Sequence, residues 1–293
     1  VNVEEGQYLG DVIKDLGLDP AKIINLKLTG CISDFVGGYH SETEPWYQSG
    51  SYSFNYIREN MPNLESLNLK ELRTKNMPLC FYGSDPGYGM PRAADDYIPA
   101  GAFENMSNLR YFSWPDHLKG IGDQSFAGSG LCGSLIFPEG MVYIGSNAFS
   151  AYAHAAKNGL NGELYIPSTV EYIGGNAFGQ NDGNVNMFFF SNELILPSKM
   201  KYLGTGAFSG CPHMTGTIRV PDGLTELNNA WPSQIGGPLV IPQGIKKINS
   251  IPLGATNISI PEGVEEIGGR AFAEAANLKC PVYLPSTVKK IGE

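Results

Sequence analysis

The stretch Leu164-Tyr-Ile-Pro-Ser-Thr-Val-Glu-Tyr-Ile-Gly-Gly-Asn-Ala-Phe178 decides how this chain folds, because its frame returns along the sequence. Ile258-Ser-Ile-Pro-Glu-Gly-Val-Glu-Glu-Ile-Gly-Gly-Arg-Ala-Phe272 repeats it closely. Proline holds the same place at 115, 138, 167, 197, 221, 242, 261 and 285, at intervals of 19–30 residues. In every copy the residues one and three before the proline are apolar, and Ile or Leu follows six after it. A period of this length means stacked units, none of which can bury its apolar face alone.

Within one unit, apolar positions one and three before proline alternate with the residue between them, as a short strand requires. Proline has no N–H for a ladder and ends that strand. One residue after the Ile/Leu anchor sits Gly in six copies and Asn in two (Asn228, Asn249). Both residues tolerate positive φ, so a left-handed turn is expected there. A small residue and an aromatic close most units, as in Ala148-Phe149 and Ala177-Phe178; Pro252-Leu253 breaks the rule. Ile23-x-x-Leu26-x-Leu28 and Leu64-x-x-Leu67-x-Leu69 extend the strand frame toward the N-terminus without the proline.

These units resemble the BspA-like leucine-rich repeat surface proteins of anaerobic bacteria, whose repeat reads roughly L-x-x-I-x-I-P-x-x-V-x-x-I-G-x-x-A-F. The resemblance covers about residue 98 to the end. The opening is also similar, with a helix-like Leu9-x-x-Val12-Ile13-x-x-Leu16 before Lys22–Gly30. The expected fold is a β-rich (α+β) solenoid, a right-handed leucine-rich-repeat superhelix of about ten rungs with short parallel strands. Residues 1–62 are expected to form an N-terminal cap and first rung, continuous with a solenoid over 63–293. The resemblance implies a secreted or surface-displayed module, often part of a longer protein, with no catalysis and no cofactor.

Composition sets further bounds. A net charge of −9 and a pI near 5 disfavour nucleic acid and anionic membranes as partners. No apolar run approaches membrane-spanning length. Val1-Asn2-Val3-Glu4-Glu5 lacks the basic and apolar regions of a signal peptide, and the resemblance implies one that has been removed. The chain stops at Ile291-Gly292-Glu293, before the closing pair of its own unit. The expectation is that the natural protein continues, or that this end meets another subunit.

Chemistry has little foothold. The four histidines, His40, His117, His154 and His213, lie in different units, and no Gly-x-Ser-x-Gly elbow occurs. Five cysteines cannot all pair, and no Cys-x-x-Cys is present. The expectation is a small buried filler such as Cys211, with a Cys31–Cys80 disulfide left open. Lys246-Lys247, Glu265-Glu266 and Lys289-Lys290 occupy one repeat position in successive units and should stack as a charge ladder.

Two columns stand out as candidate binding surface. The middle residue of each strand should point outward; it reads Ser113, Ile136, Tyr165, Ile195, Arg219, Val240, Ser259 and Tyr283, and its middle stretch is apolar where a wetted sheet is normally polar. Tyr143, Tyr172 and Tyr202 share another repeat position and should form an exposed column. Exposed apolar columns mark interaction sites, although tyrosines also pack well against neighbouring strands. Residues 151–161 should add a short helix, and Met187-Phe188-Phe189-Phe190 is too apolar to stand free in water. Two irregular stretches add aromatics near the N-terminus: Tyr39, Trp46, Tyr47, Tyr52 and Phe54 in one, Phe81, Tyr82, Tyr88 and Tyr97 in the other. Such loops either bind ligands by stacking or seal the first rungs. The expected function is non-catalytic recognition of a host or bacterial surface protein or a glycan, by adhesion or capture. The candidate residues are Ile136, Tyr165 and Ile195, then Tyr143, Tyr172 and Tyr202. The alternative is a structural spacer that displays another domain and binds nothing itself.

Overall fold

A computed structural model of the chain describes residues 1–34, 51–79, 93–150, 159–179, 188–232, 235–273 and 275–292. Within these the proline frame makes the expected strand before Pro115, Pro138, Pro167, Pro242 and Pro261, whereas the frames before Pro197 and Pro285 form no strand and the one before Pro221 only the bridge at Arg219. Asn25–Lys27, Ser66–Asn68 and Tyr111–Ser113 pair in parallel, as do Leu135–Ile136 with Leu164–Tyr165 and Gly237–Val240 with Ala255–Ser259. We call this interrupted set the first ladder.

A second parallel ladder is more regular, and it is not foreseen from the repeat. It uses the two residues five and six after each proline. Tyr97–Ile98, Gly120–Ile121, Tyr143–Ile144, Tyr172–Ile173 and Tyr202–Leu203 form one sheet. Glu226–Leu227, Lys247–Ile248, Glu266–Ile267 and Lys290–Ile291 form the next. Tyr97–Ile98 has no counterpart in the first ladder, where Ser66–Asn68 pairs directly with Tyr111–Ser113. The two ladders therefore differ by a rung.

The glycine after the anchor has a role other than the expected left-handed turn. Gly122, Gly145, Gly174 and Gly204 are absent from the positive-φ set. They are glycine because the neighbouring rung leaves no room: a Cβ on Gly174 would lie 2.4 Å from the Ser146 nitrogen and 2.6 Å from its Cα. Their N–H groups donate to the anchor carbonyl of the preceding rung, Gly145 to Ile121 and Gly174 to Ile144 at 2.8 Å each. The left-handed turn comes two residues later, at Gly101, Gln124, Asn147, Asn176 and Gly206.

Adjacent glycines separate these two roles by experiment. Gly174→Ala should destabilise by about 1–3 kcal/mol, because backbone on the facing rung cannot yield. Gly175 lacks positive φ and a Cβ there meets only the Thr205 carbonyl, at 3.4 Å. Gly175→Ala should be neutral or stabilising, by up to about 1 kcal/mol. Urea unfolding of the pair checks this; equal losses would contradict the close-approach account.

The closing aromatics stack along the interior. Phe103, Phe126, Phe149, Phe178 and Phe208 are fully buried, with successive ring centroids 5.0, 5.3, 5.2 and 5.3 Å apart. Their backbone N–H groups donate to the following rung, Phe149 to Ala177 and Phe178 to Ala207. In the irregular rung, buried Ile251 takes this place and donates to Ala271.

At the N-terminus the helix-like frame forms α1 (Leu9–Asp15), with Leu9 and Ile13 buried. The first aromatic stretch corrects the loop expectation in part: Tyr52 and Phe54 lie in a helix, α2 (Tyr52–Asn60). Ser51 caps its start, and Asp34 accepts hydrogen bonds from the hydroxyls of Ser51 and Ser53. Phe54 is buried against Phe103. Tyr97, from the second stretch, is buried in the ladder. Tyr39, Trp46, Tyr47, Phe81, Tyr82 and Tyr88 lie outside the described residues, as do 151–158 of the expected short helix.

Candidate recognition surface

The strand pleat sets the exposure of the first column. Leu135 and Phe137 point inward and are buried, so Ile136 between them points out. Ile136 is 48% exposed, Tyr165 45%, Ile195 70% and Val240 74%. The structure thus places the three first-choice candidates on the surface and adds Val240 to their line. The Tyr165 hydroxyl donates to Glu139 at 2.6 Å on the preceding rung, and that carboxylate raises the phenol pKa. Glu163 and Glu193 lie exposed beside the column.

The tyrosine column is not the exposed feature expected. Tyr143 is only 4% exposed, and Tyr172 and Tyr202 are half-buried. All three are strand residues of the second ladder in direct register. Gly120 explains the burial of Tyr143: with no side chain there, the rings of Tyr97 and Tyr143 close to 6.5 Å across it. The Tyr143 hydroxyl lies 3.3 Å from Asp123. Above Tyr172, Lys201 sits 5.9 Å from the ring and pairs with Glu171 at 2.6 Å. These tyrosines pack between rungs, which is ladder cohesion.

The charge ladder forms as expected. Glu265 meets Lys289 at 2.7 Å, and Glu266 meets Lys290 at 3.2 Å and Lys247 at 3.5 Å. Hydrogen bonds from the lysines hold both carboxyls below the usual range. Phe188 and Phe190 fold back into the core, while Phe189 remains half-exposed and stacks on His213 at 5.3 Å. Met187 lies outside the described residues.

Among the described residues no group of histidines, cysteines and carboxylates could hold a metal ion. Burial pushes the Cys211 thiol well above its ordinary pKa, and its sulfur faces the Phe178 carbonyl. Cys211 is a core filler in this packing. Cys31 is half-buried, and Cys80, the other half of the open pairing, lies outside the described residues. Among the described residues no helix is long and apolar enough to cross a membrane.

One feature of this face has no signature in the sequence. Between Ile195 and Arg219 a cleft of about 300 Å³ opens in the first ladder. Its origin is a slip in pairing: Glu193, four before its proline, pairs with Thr215, six before the next. No composition or spacing signal marks the slip.

The model for the BspA type leucine rich repeat region matches in six copies, over residues 96–230 and 190–293. No curated protein matches the chain. Among solved structures, a leucine rich cell surface protein from Faecalibacterium prausnitzii is 18% identical, with a TM-score of 0.40 over 91% of this chain and 72% of that one. A leucine-rich repeat protein from Bacteroides ovatus is 17% identical, with a TM-score of 0.31 over 92% and 83%. The pneumococcal vaccine antigen PcpA is 15% identical, with a TM-score of 0.20 over 91% and 79%. The matched repeats span more than half of the 293 residues, and their proline frame, anchor glycine and phenylalanine stack are those described above. The chain belongs to the BspA-type leucine-rich repeat family.

Proposed function

We propose that this chain is a non-catalytic recognition module acting outside the cell, and that it binds a protein through the outward face of the first ladder. The observation that carries this reading is the exposed run Ile136, Tyr165 and Ile195 on three successive units of one face, with Val240 exposed beyond Arg219. Aliphatic and aromatic side chains left in water on one face supply contact area that a partner can desolvate. A wetted sheet serving only as a spacer needs polar residues at those positions. The acidic balance of the chain supports a protein or glycan partner over nucleic acid.

An array of host matrix proteins, bacterial surface proteins and glycans, probed with the purified chain, tests the reading. The comparison is with the triple variant Ile136→Ser/Tyr165→Ala/Ile195→Ser. The expected result is one or more protein hits weakened at least about tenfold in the variant, with the thermal midpoint unchanged. Hits that survive would move the site off this face, and a complete lack of hits would favour the spacer. Tyr172→Ala should behave oppositely, lowering the midpoint while leaving the hits in place, because its ring packs between rungs.

A further inference from the structure

We infer that the cleft at the slipped rung receives a lysine or arginine side chain of the protein partner, carried among aliphatic neighbours. This rests on the reading of the first-ladder face as the recognition surface and names the chemistry of what it takes.

The cleft lies where both ladders depart from regular pairing. In the first, Glu193 meets Thr215 two residues out of register, and registry returns at Arg219 with Val240. In the second, one sheet ends at Tyr202–Leu203 and the next begins at Glu226–Leu227. There Asn228 replaces the anchor glycine, and its side-chain amide donates to the Leu203 carbonyl at 3.1 Å. A side chain thus spans a gap that backbone closes at the other rungs. The two rungs stand apart enough to leave an opening of about 300 Å³ on the exposed face.

The lining has a stem part and a head part. Ile195, Val220 and Pro221 offer aliphatic wall, and Ile195 is the second most exposed member of the apolar line. Glu193 and Asp222 bring carboxylates, against the single guanidinium of Arg219. Glu193 is given its place by Gly216, where a Cβ would lie 2.8 Å from the glutamate Cγ. Among the described residues none of these three charged side chains is in an ion pair within 4.0 Å or a side-chain hydrogen bond. This contrasts with Glu171, Glu265 and Glu266, all paired on the second ladder. Two carboxylates and one cation leave the cleft net acidic, and Glu163 and Glu139 extend that sign along neighbouring rungs. A lysine or arginine lays its methylenes along apolar wall and its head toward carboxylate, so both parts of the lining are matched.

The test uses the full chain with ¹³C-labelled isoleucine δ1 methyls and three synthetic peptides. The peptides share a Gly/Ser frame around Leu-X-Leu, with X as lysine, norleucine or glutamate. The lysine peptide should shift the Ile195 methyl saturably at millimolar concentration, and the other two should bind it at least about fivefold more weakly. Glu193→Gln/Asp222→Asn should weaken the lysine peptide about tenfold, while Glu265→Gln, in the charge ladder away from the cleft, leaves its effect at Ile195 intact. Equal or tighter binding of the norleucine or glutamate peptide would overturn the inference. So would a lysine effect that survives the double substitution, or no shift at Ile195 with any peptide. Partner hits lost in the Ile136/Tyr165/Ile195 variant but untouched by Glu193→Gln/Asp222→Asn would sink the cleft alone and spare the surface. Hits indifferent to both variants would sink the surface reading itself.

Discussion

Phe149→Ala should destabilise the solenoid by about 3–5 kcal/mol, the ordinary cost of deleting a buried phenyl ring. Phe149 is 2% exposed and lies face to face with Phe126 at 5.3 Å and Phe178 at 5.2 Å, with interplanar angles of 3° and 2°. Its ring also meets Phe137 and Trp114. Alanine leaves a void that these rings cannot fill together, because their backbones are tied rung to rung through the Phe149–Ala177 and Phe126–Ala148 hydrogen bonds. In a stacked array each unit is supported mainly by its neighbours. A break in the middle should therefore also separate the unfolding of the two flanks. Urea unfolding followed by circular dichroism reads both effects, as a lower midpoint and a broadened or biphasic transition. A loss below about 1 kcal/mol with one sharp transition would show that the phenyl stack is not what couples the rungs.

Asp123→Asn should act with the opposite sign. Burial pushes the Asp123 carboxyl up from 3.8 to about 6, outweighing the Ser146 N–H at 2.8 Å and the Tyr143 hydroxyl at 3.3 Å, which it accepts. The folded state therefore holds a proton that the unfolded chain releases at lower pH. The stabilisation from that proton is fully present below about 3.8 and is lost as pH rises through about 6. Above pH 7 the half-buried ionised carboxyl costs about 2–3 kcal/mol relative to the protonated one. Asparagine keeps an acceptor oxygen for both donors and carries no charge at any pH. The variant should be more stable than the parent by about 2–3 kcal/mol at pH 8, with the advantage shrinking as pH falls through 6. Taking the difference between the two proteins cancels the paired carboxyls, such as Glu265 and Glu266, whose pH dependence runs the other way. A constant difference from pH 4 to 8 would refute the titration of Asp123.

Some of this molecule is legible in residue spacing and some is not. The proline frame is readable because proline cannot donate to a ladder and the flanking apolar pair fixes an inward face. The charge ladder is readable for a related reason: one repeat position places Lys247, Glu266 and Lys290 in adjacent rungs, and parallel register does the rest. The second ladder escapes notice because each of its strands is two residues long, too short for an alternation to show. Position also tells that a residue must be small without telling why. Gly174 looks like a turn glycine, yet the reason for it is Ser146 on the facing rung.

For the candidate surface the division is similar. The outward direction of Ile136, Tyr165 and Ile195 follows from the strand period alone, and the structure exposes all three. The fate of Tyr143 does not follow from its own repeat position, because it depends on Gly120 in the neighbouring rung.

The amino-acid sequence by itself determined the stacked-repeat architecture, the inward and outward faces of the proline-framed strands, and the pairing of charges along one edge. These depend on periodicity, which local chemistry enforces in every copy. Only the tertiary structure decided the close-approach role of the glycines, the burial of the tyrosines and the cleft beside Ile195. Each of those is set by what one rung meets on the next, and a two-residue slip between Glu193 and Thr215 changes that meeting without altering the repeat that encodes it.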